Sequence, residues 1–521
     1  MSRREVVVIG SGPAGIAASW PLVQAGHAVR MLEAGTGFPA GEPWALADRR
    51  AGGRPGIEAL LGPGLRGLAA SADVSPKLRL AADPDGVDSY TRGLGLDADG
   101  AIIVGLNVTG GLSTVWGAIS PTFSDADVAG WPIDAAALAP SYRDVAARIG
   151  LSGSMDDDLA AFHGDGVPVQ PALPPSPNAA ALLSRYRSSD DFRLGRPRLA
   201  VLSTPLGSRA ACDLGGRCMW GCARRSIYSA ADEIPDLLAT GLFALETASE
   251  VRRIDRLADG GLVLAFTPES GREPLRAAQV VLAAGAPASA RLALASLGQT
   301  EARPLALTPA FTFALLRPAA LGEGLPRLGF GLAQLAFRVP AGSGGYAYGL
   351  LYDAGALAAP DLVRRTMLTA AGGLRLLGAL LPSLMIGLVY LPSSVSSASL
   401  RLTGDPERPR LAVSAATSAA ALALARDARR RIAPALRRLG GWMLPGSFRM
   451  LAPGSEVHYA GPLAMGDLVS AKGEVHGIPG LTAVDGAVLP SLPAKHHTFT
   501  VMANADRIGR SLATRLRSAT S

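Results

Sequence analysis

The chain has 521 residues, of which 48% are hydrophobic and 18% charged, with 62 glycines and 39 prolines. That is enough apolar material for a large core built as two domains, and it excludes a disordered or coiled-coil chain in favour of a loop-rich α/β enzyme. The net charge is +7, but most basic residues are arginines scattered along the chain, and lysine occurs only at Lys77, Lys472 and Lys495. No aromatic–basic patch accompanies them, so no nucleic-acid partner is expected. Three cysteines do not make a disulfide framework and favour a reducing compartment. The first apolar strand starts almost at Met1 with no separate apolar leader, so a cytoplasmic location is expected.

Val6 to Ile9 is short enough for a buried parallel strand. It runs into Gly10-x-Gly12-x-x-Gly15, a helical stretch, and a second strand at Ala28–Leu32 closed by Glu33. Gly10 allows a tight turn, Gly12 lets the backbone reach a pyrophosphate, and Gly15 lets the helix pack closely on the strand. The helix N-terminus offers free N–H groups and partial positive charge to phosphates. Glu33 stands where it can accept hydrogen bonds from a ribose. A GxGxxG alone is weak, but strand, helix, second strand and acid in this order predict dinucleotide binding.

Residues 36–100 are rich in glycine, proline and aspartate with weak periodicity, and read as excursions from a nucleotide-binding domain. After Ile102–Val104 comes Gly110-Gly111-x-Ser113 with Trp116-Gly117, a backbone free to approach a flat ring. On spacing alone this is only a glycine-rich loop. A helix is predicted over Ala135–Ile149, ahead of a proline-rich stretch at Pro168–Pro177. Cys212, Cys218 and Cys222 approximate an iron–sulfur run, but Gly215 stands at its second position and no proline follows Cys222. Three thiolates leave a four-cysteine cluster one ligand short, so the cysteines read as structural and no metal is expected.

The nucleotide-domain pattern returns with strands predicted at Ala244–Val251, Gly261–Phe266 and Ala278–Leu282. The last opens into another glycine turn at Gly285 and a helix over Ser289–Leu297. Phe311–Leu316, Leu332–Val339, Tyr346–Tyr352, Ile386–Leu391, Ser399–Leu402 and Leu411–Val413 read as strands of an antiparallel sheet. Period two puts Tyr346, Tyr348 and Tyr352 on one face, where they either line a pocket or pack within the sheet. Met367–Leu391 is almost wholly apolar apart from Arg375, and long enough to span a bilayer if helical. Pro382, Ser383 and the strand-like run after them argue against spanning. Residues 367–382 are left as either a core helix or a monotopic helix on an anionic membrane. Arg364, Arg365 and a basic helix around Arg426–Arg438 favour the second reading, with peripheral contact at the inner membrane face.

Four of the six histidines, His458, His476, His496 and His497, lie near the C-terminus. VHGIPGLTAVDGAVLP reads as a strand pair ending at Asp485-Gly486, and a helix begins near Thr498. The N-terminal fingerprint, the GG-x-S-x-x-WG loop and the strand into AAGAPASARLALAS belong with a closing set: H-x-x-G-x-x-x-M-G, VDGAVLP and HHTFTVMANADRIG. Together, from Gly10 to Gly509, they resemble the glucose–methanol–choline (GMC) oxidoreductase family. Within it, the CMWGC and WPI segments are most similar to a bacterial branch associated with cell-envelope carbohydrate loci.

The resemblance implies an α/β fold with a Rossmann-type FAD-binding domain and a substrate domain carrying a largely antiparallel β-sheet. The first would be made of residues 1–122, 205–300 and 441–521, the second of 123–204 and 301–440. FAD is the implied cofactor, with Gly10, Gly12, Gly15 and Glu33 at the pyrophosphate and adenosine ribose. Val251 would lie near the adenine, Asp485 near the ribityl–pyrophosphate, and Ser113 and Trp116 with Gly110 and Gly111 near the isoalloxazine. The implied reaction oxidises an alcohol or polyol, a sugar or lipid-linked alcohol included, as hydride leaves its carbon for flavin N5.

His458 matches the first catalytic histidine of the family motif. Its partner is His496 in an N-x3-T register from Thr500, or His497 in an H-x2-T register. An alcohol is a very weak acid, so a base must take its proton as hydride departs, and a second group in a dry pocket orients the same oxygen. Both neighbours are not expected in one small pocket. His476 is assigned to structure. The electron acceptor, oxygen, quinone or a protein, stays open. So do a redox-neutral lyase or isomerase on the same scaffold, and a protein that binds flavin without catalysis.

Overall fold

A computed structural model describes residues 5–37, 77–78, 84–216, 218–219, 221–324, 329–342, 344–354, 379–405 and 407–518. In chain order, the elements around the site begin with β1 (Glu5–Ile9), α1 (Pro13–Gln24), β2 (Ala28–Leu32), α2 (Ala135–Ile149) and β3 (Phe243–Glu246). They continue with β4 (Val280–Leu282), α3 (Ala286–Leu297), β5 (Ala310–Leu316), β6 (Leu335–Ala341), β7 (Gly345–Asp353) and β8 (Leu384–Tyr390). The last three are α4 (Ala419–Arg438), β9 (Leu481–Ala483) and α5 (Thr498–Ser518).

One sheet has the order β9-β4-β1-β2-β3, and every pair is parallel. Val6, Val7 and Val8 of the central strand are fully buried, as expected for an unbroken apolar run covered on both faces. The turn after β1 depends on glycine. Gly10 has φ +102, and a Cβ there would lie 2.5 Å from the Ala283 carbonyl oxygen just past β4. A Cβ on Gly15 would lie 2.0 Å from the Gly10 oxygen, so α1 can start this close to the strand only with hydrogen at that position. Pro13 takes the first helical position, where its missing N–H would have no helical partner.

α5 packs along α1, close enough that a Cβ on Gly509 would lie 2.6 Å from the Ala18 oxygen. Asp506 of α5 is fully buried and accepts from Ser141 Oγ at 2.7 Å, tying in α2. Arg148 of α2 in turn donates to Glu233, which also accepts from Trp20 Nε1 of α1.

A second sheet is antiparallel, with β5, β8, β7 and β6 side by side and Arg193–Gly195 beyond β6. Period two divides its faces. Phe311, Phe313, Met385, Val389, Phe337 and Leu351 turn to one side, where they pack with Ala425, Ala428, Ile432 and Leu436 of α4. Thr312, Ala314, Ile386, Leu388, Tyr390 and Tyr352 turn to the other, where they line the cavity described below. This is the hydrophobic alternation of a sheet with a helix on one side and a ligand-sized space on the other.

Several predicted strands fall elsewhere. Ala244–Val251 is divided: β3 joins the parallel sheet, the chain bends at Ala248 with φ 51, and Val251–Arg256 begins a separate meander with Leu262–Phe266 and Leu275–Ala277. Ser399–Leu402 and Leu411–Val413 are strands, within Ser397–Thr403 and Arg410–Ala416, but of a third sheet with Arg303–Pro304 and Asp97–Asp99. β6 starts later than predicted because the buried Gln334 amide donates to the Phe330 and Leu332 carbonyls, which curls the chain there. The predicted strand pair before Asp485 is one strand, β9, with single bridges such as Glu474 to Thr482.

Most of the apolar segment 367–382, together with Arg364, Arg365 and Arg375, lies outside the described residues. Its end forms one turn at Leu381–Ser383 and leads into β8. Among the described residues no helix is long and apolar enough to cross a membrane. The basic helix is α4, with Arg426, Arg429 and Arg430 on its exposed side.

The close approach at Gly15 predicts that Gly15→Ala loses about 1–3 kcal/mol of stability, the usual penalty for overpacking, seen as a lower urea midpoint. Gly12→Ala, whose Cβ would meet nothing within 4 Å, should leave the midpoint where it is. Equal midpoints for wild type and Gly15→Ala would contradict this account of the turn.

Candidate active site

A cavity of about 1010 Å³ runs from the ends of the parallel strands to the inner face of the antiparallel sheet. Gly10, Gly12, Glu33, Val251 and Asp485 line it, as do Gly111, Ser113, Trp116, His458, His496 and His497. Gly15 and Gly110 do not. The first packs helix on strand, and the second turns the loop with φ +93. His476 is exposed and away from the cavity.

At the first end, α1 begins without a side-chain cap, so its leading N–H groups are left for another partner. Gly12 stands there with open space where a side chain would project. The buried Glu33 carboxylate accepts from Ser11 N at 3.1 Å and Ser11 Oγ at 2.6 Å through one oxygen, and from Gly35 N at 2.8 Å through the other. Burial raises its pKa, opposed by those hydrogen bonds. Gly110 N donates to Ser11 Oγ at 3.0 Å, so Ser11 joins both glycine loops. The sequence reading missed this serine, although it sits inside the fingerprint.

Asp485 accepts from Gly285 N, Ser289 Oγ and Ala487 N, at 2.9, 2.5 and 2.9 Å. It thereby fixes the turn that starts α3 next to the cavity. Ser113 Oγ donates to the Gly110 oxygen at 2.6 Å and accepts from Ala230 N at 2.9 Å. Its hydroxyl therefore shapes the loop. The Trp116 indole N–H donates to the Tyr228 oxygen at 2.7 Å, and Lys77 Nζ donates to the Trp116 oxygen at 2.7 Å. Cys218 accepts from Gly331 N at 3.2 Å, and burial pushes the Cys212 thiol up to about 11. Thiols of that kind are unreactive.

The far end holds three imidazoles. His458 Nδ1 is 2.7 Å from Thr308 Oγ1, and its ring stacks on Tyr390 with centroids 5.1 Å apart. His496 and His497 both meet it nearly at right angles, with centroids 4.8 and 4.9 Å away. The expectation of only one neighbour in the pocket does not describe this arrangement. The His497 carbonyl already accepts from Val501 N at 2.8 Å, so the chain is entering α5. Successive side chains there diverge by about 100°, rather than to opposite sides as on a strand. Nδ1 of both has no hydrogen-bond partner among the described residues.

Burial lowers all three imidazole pKa values. That of His458 falls well below its usual value, with His496 and His497 adding to the effect. His496 is brought to about 3 by burial and His497, and His497 to about 4 by burial. All three are therefore neutral at pH 7, each with a lone pair on one ring nitrogen.

Of the predicted tyrosines, Tyr352 lines the cavity. Tyr348 bonds His163 at 2.9 Å and packs its ring edge-on to His496, while Tyr346 donates to Asp127. Glu456 lines the cavity two residues before His458 and was not anticipated. Burial pushes its carboxyl up to about 8 against backbone N–H groups at Glu456, Gly454 and Thr308. Its Oε1 has no partner among the described residues. The acid is legible in EVH, but an acid beside a histidine does not declare itself buried.

Residues 394–505 match the family model described as GMC oxidoreductase. Among solved structures, the chain is similar to a crystal structure of pyridoxine 4-oxidase from Mesorbium loti, with a TM-score of 0.58 and 17% sequence identity. The likeness covers 97% of this chain and 98% of that one, so the two share a fold along nearly their whole lengths. No curated protein matches the chain in sequence.

Glu456 holds its proton more tightly folded than unfolded. Its contribution to stability is thus complete below about pH 4.5 and lost as pH rises through about 8. Glu456→Gln, neutral at every pH, should therefore gain thermal stability relative to wild type as pH rises across that window. A difference in melting temperature that stays constant with pH would contradict a buried, protonated Glu456.

Proposed function

We propose, from the GMC oxidoreductase family model that residues 394–505 match, that the chain is a member of that family and an FAD-dependent oxidoreductase that converts an alcohol or polyol to a carbonyl compound. One observation carries the proposal: a single cavity joins a glycine-lined helix N-terminus to three neutral histidines. The residues at the first end fit the cofactor. An uncapped α1 and an unobstructed Gly12 suit a pyrophosphate. Each Glu33 oxygen has two lone pairs, and Oε1 accepts only one of the protein hydrogen bonds described above, so a ribose hydroxyl can share it. Residues 1–122, 205–300 and 441–521 form the cofactor domain in this proposal, and 123–204 with 301–440 the substrate domain.

Bound at the first end of the cavity, FAD would supply an acceptor for the hydride leaving the substrate carbon. The chain supplies the proton chemistry. With Nδ1–H of His458 donating to Thr308 Oγ1, Nε2 carries the lone pair that takes the hydroxyl proton. His496 and His497 orient the same oxygen from the sides, and burial strengthens each of these contacts by excluding water. A small-molecule substrate is in keeping with the name of the similarly folded pyridoxine 4-oxidase.

Purified protein should be yellow, and Gly12→Leu should lose flavin while remaining folded. In wild-type protein, one member of a panel of sugars, polyols, sterols and long-chain alcohols should bleach the flavin without oxygen. Colourless protein that takes up no flavin on reconstitution overturns the proposal. His458→Ala should retain flavin and slow its reduction ~10²–10⁴-fold, the range for a positioned acid–base group. His496→Asn and His497→Asn should each slow reduction, because both rings contact His458. Reduction of His458→Ala at the wild-type rate would remove the assignment of the base.

A further inference from the structure

The segment carrying His496 and His497 is held from behind by a buried ion pair. Lys495 is 2% exposed, and its Nζ donates to Asp127 Oδ2 at 2.7 Å and to the Thr122 oxygen at 3.0 Å. The ammonium also lies 4.1 Å from the centre of the Phe162 ring. Asp127 Oδ2 accepts from Ser124 N and Oγ at 2.8 and 2.9 Å, and its Oδ1 accepts from Tyr346 of β7 at 2.5 Å. Burial lowers the lysine pKa against the pull of Asp127. Asp127 would be raised by burial, but Lys495 holds it below the usual carboxylate range. The contact geometry is that of a buried ion pair.

Two further bonds run in parallel: Trp131 Nε1 to Ser491 Oγ at 3.0 Å, and Tyr142 OH to Thr500 Oγ1 at 2.6 Å. They bracket the histidines, so the stretch from Ser491 to Thr500 is pinned before, at and after residue 495.

Stability alone does not explain such a pair, since apolar residues of similar volume commonly serve a core as well or better. What an ammonium among fixed acceptors adds is direction, and it fixes the residue next to His496. We propose that the Lys495–Asp127 pair is a positioning device that holds His496 and His497 against His458. This rests on the alcohol-oxidising role proposed above, and the pair acts through the histidines rather than on substrate.

Lys495→Met or Asp127→Asn alone leaves a buried charge unpaired and so reports mainly on folding. The informative protein is the flavin-loaded double variant Lys495→Met/Asp127→Asn. It removes both charges, keeps the bulk of the lysine stem, and leaves at position 127 an amide whose oxygen can accept from Ser124 N while its NH2 donates to the Tyr346 hydroxyl oxygen. Its melting temperature and flavin content should stay near wild type. Amide hydrogen exchange over residues 493–498 should accelerate, and flavin reduction by alcohol should slow by up to ~10²-fold, as for a small misplacement of catalytic groups. Lys495→Gln/Asp127→Asn, which keeps a neutral hydrogen bond between the two positions, should restore part of both losses.

Wild-type exchange over 493–498 in the Met/Asn protein would overturn the proposal, whatever any alcohol does. Accelerated exchange with reduction at the wild-type rate would overturn the catalytic part of it. Wild-type flavin that no alcohol reduces would count instead against the proposed function, while exchange still decides whether the pair holds the segment.

Discussion

The approach of three backbones at the end of β1 sets the geometry of the first half of the site. Gly10 meets the Ala283 carbonyl, and Gly15 meets Gly10, with no room for a single carbon at either contact. These contacts bring the start of α1, which has no side-chain cap, to the mouth formed by β1 and β4, where Gly12 and Ala14 line the cavity. The hydrogen bonds around Glu33, Ser11 and Gly110 then close the second glycine loop over the same mouth. A bulkier residue at Gly15 would therefore disturb the mouth of the cavity as well as a packing contact.

The other half of the cavity is governed by removal of water. Three imidazoles share one corner, and burial keeps all of them uncharged. Neutral imidazole is the form that can accept a proton, and ring contacts at about right angles set the positive edge of one ring against the negative face of the next. Glu456 follows the same logic in the opposite sense, because burial keeps its proton on. Lys495 and Asp127 are the exception: they lie behind the histidines as an ion pair, each offsetting the other's charge. Polar groups that titrate thus sit at the cavity, and charge sits where it can direct the chain.

Much of this is legible in sequence where the signal is local. The glycine fingerprint, the Ala135–Ile149 helix, and the alternation in Phe311–Leu316 each report a structure built from neighbouring residues. What depended on distant partners could not be read. The Ser397–Thr403 and Arg410–Ala416 strands look like members of the large sheet, yet Asp97–Asp99 and Arg303–Pro304 draw them into another. His496 and His497 compete in a motif match but stand together in space, because a helix starts under them. Lys495 and Asp127, 368 residues apart, meet only in the fold.

In the proposed reaction, a carbon–hydrogen bond of an alcohol breaks within this cavity as the bound flavin is reduced. The most direct test compares an alcohol that reduces the bound flavin with the same alcohol carrying deuterium on its hydroxyl-bearing carbon, by anaerobic stopped-flow absorbance. The flavin should bleach in both cases, and more slowly with the deuterated alcohol. Bleaching at the same rate with both, under conditions where substrate binding is not limiting, would contradict the proposed reaction.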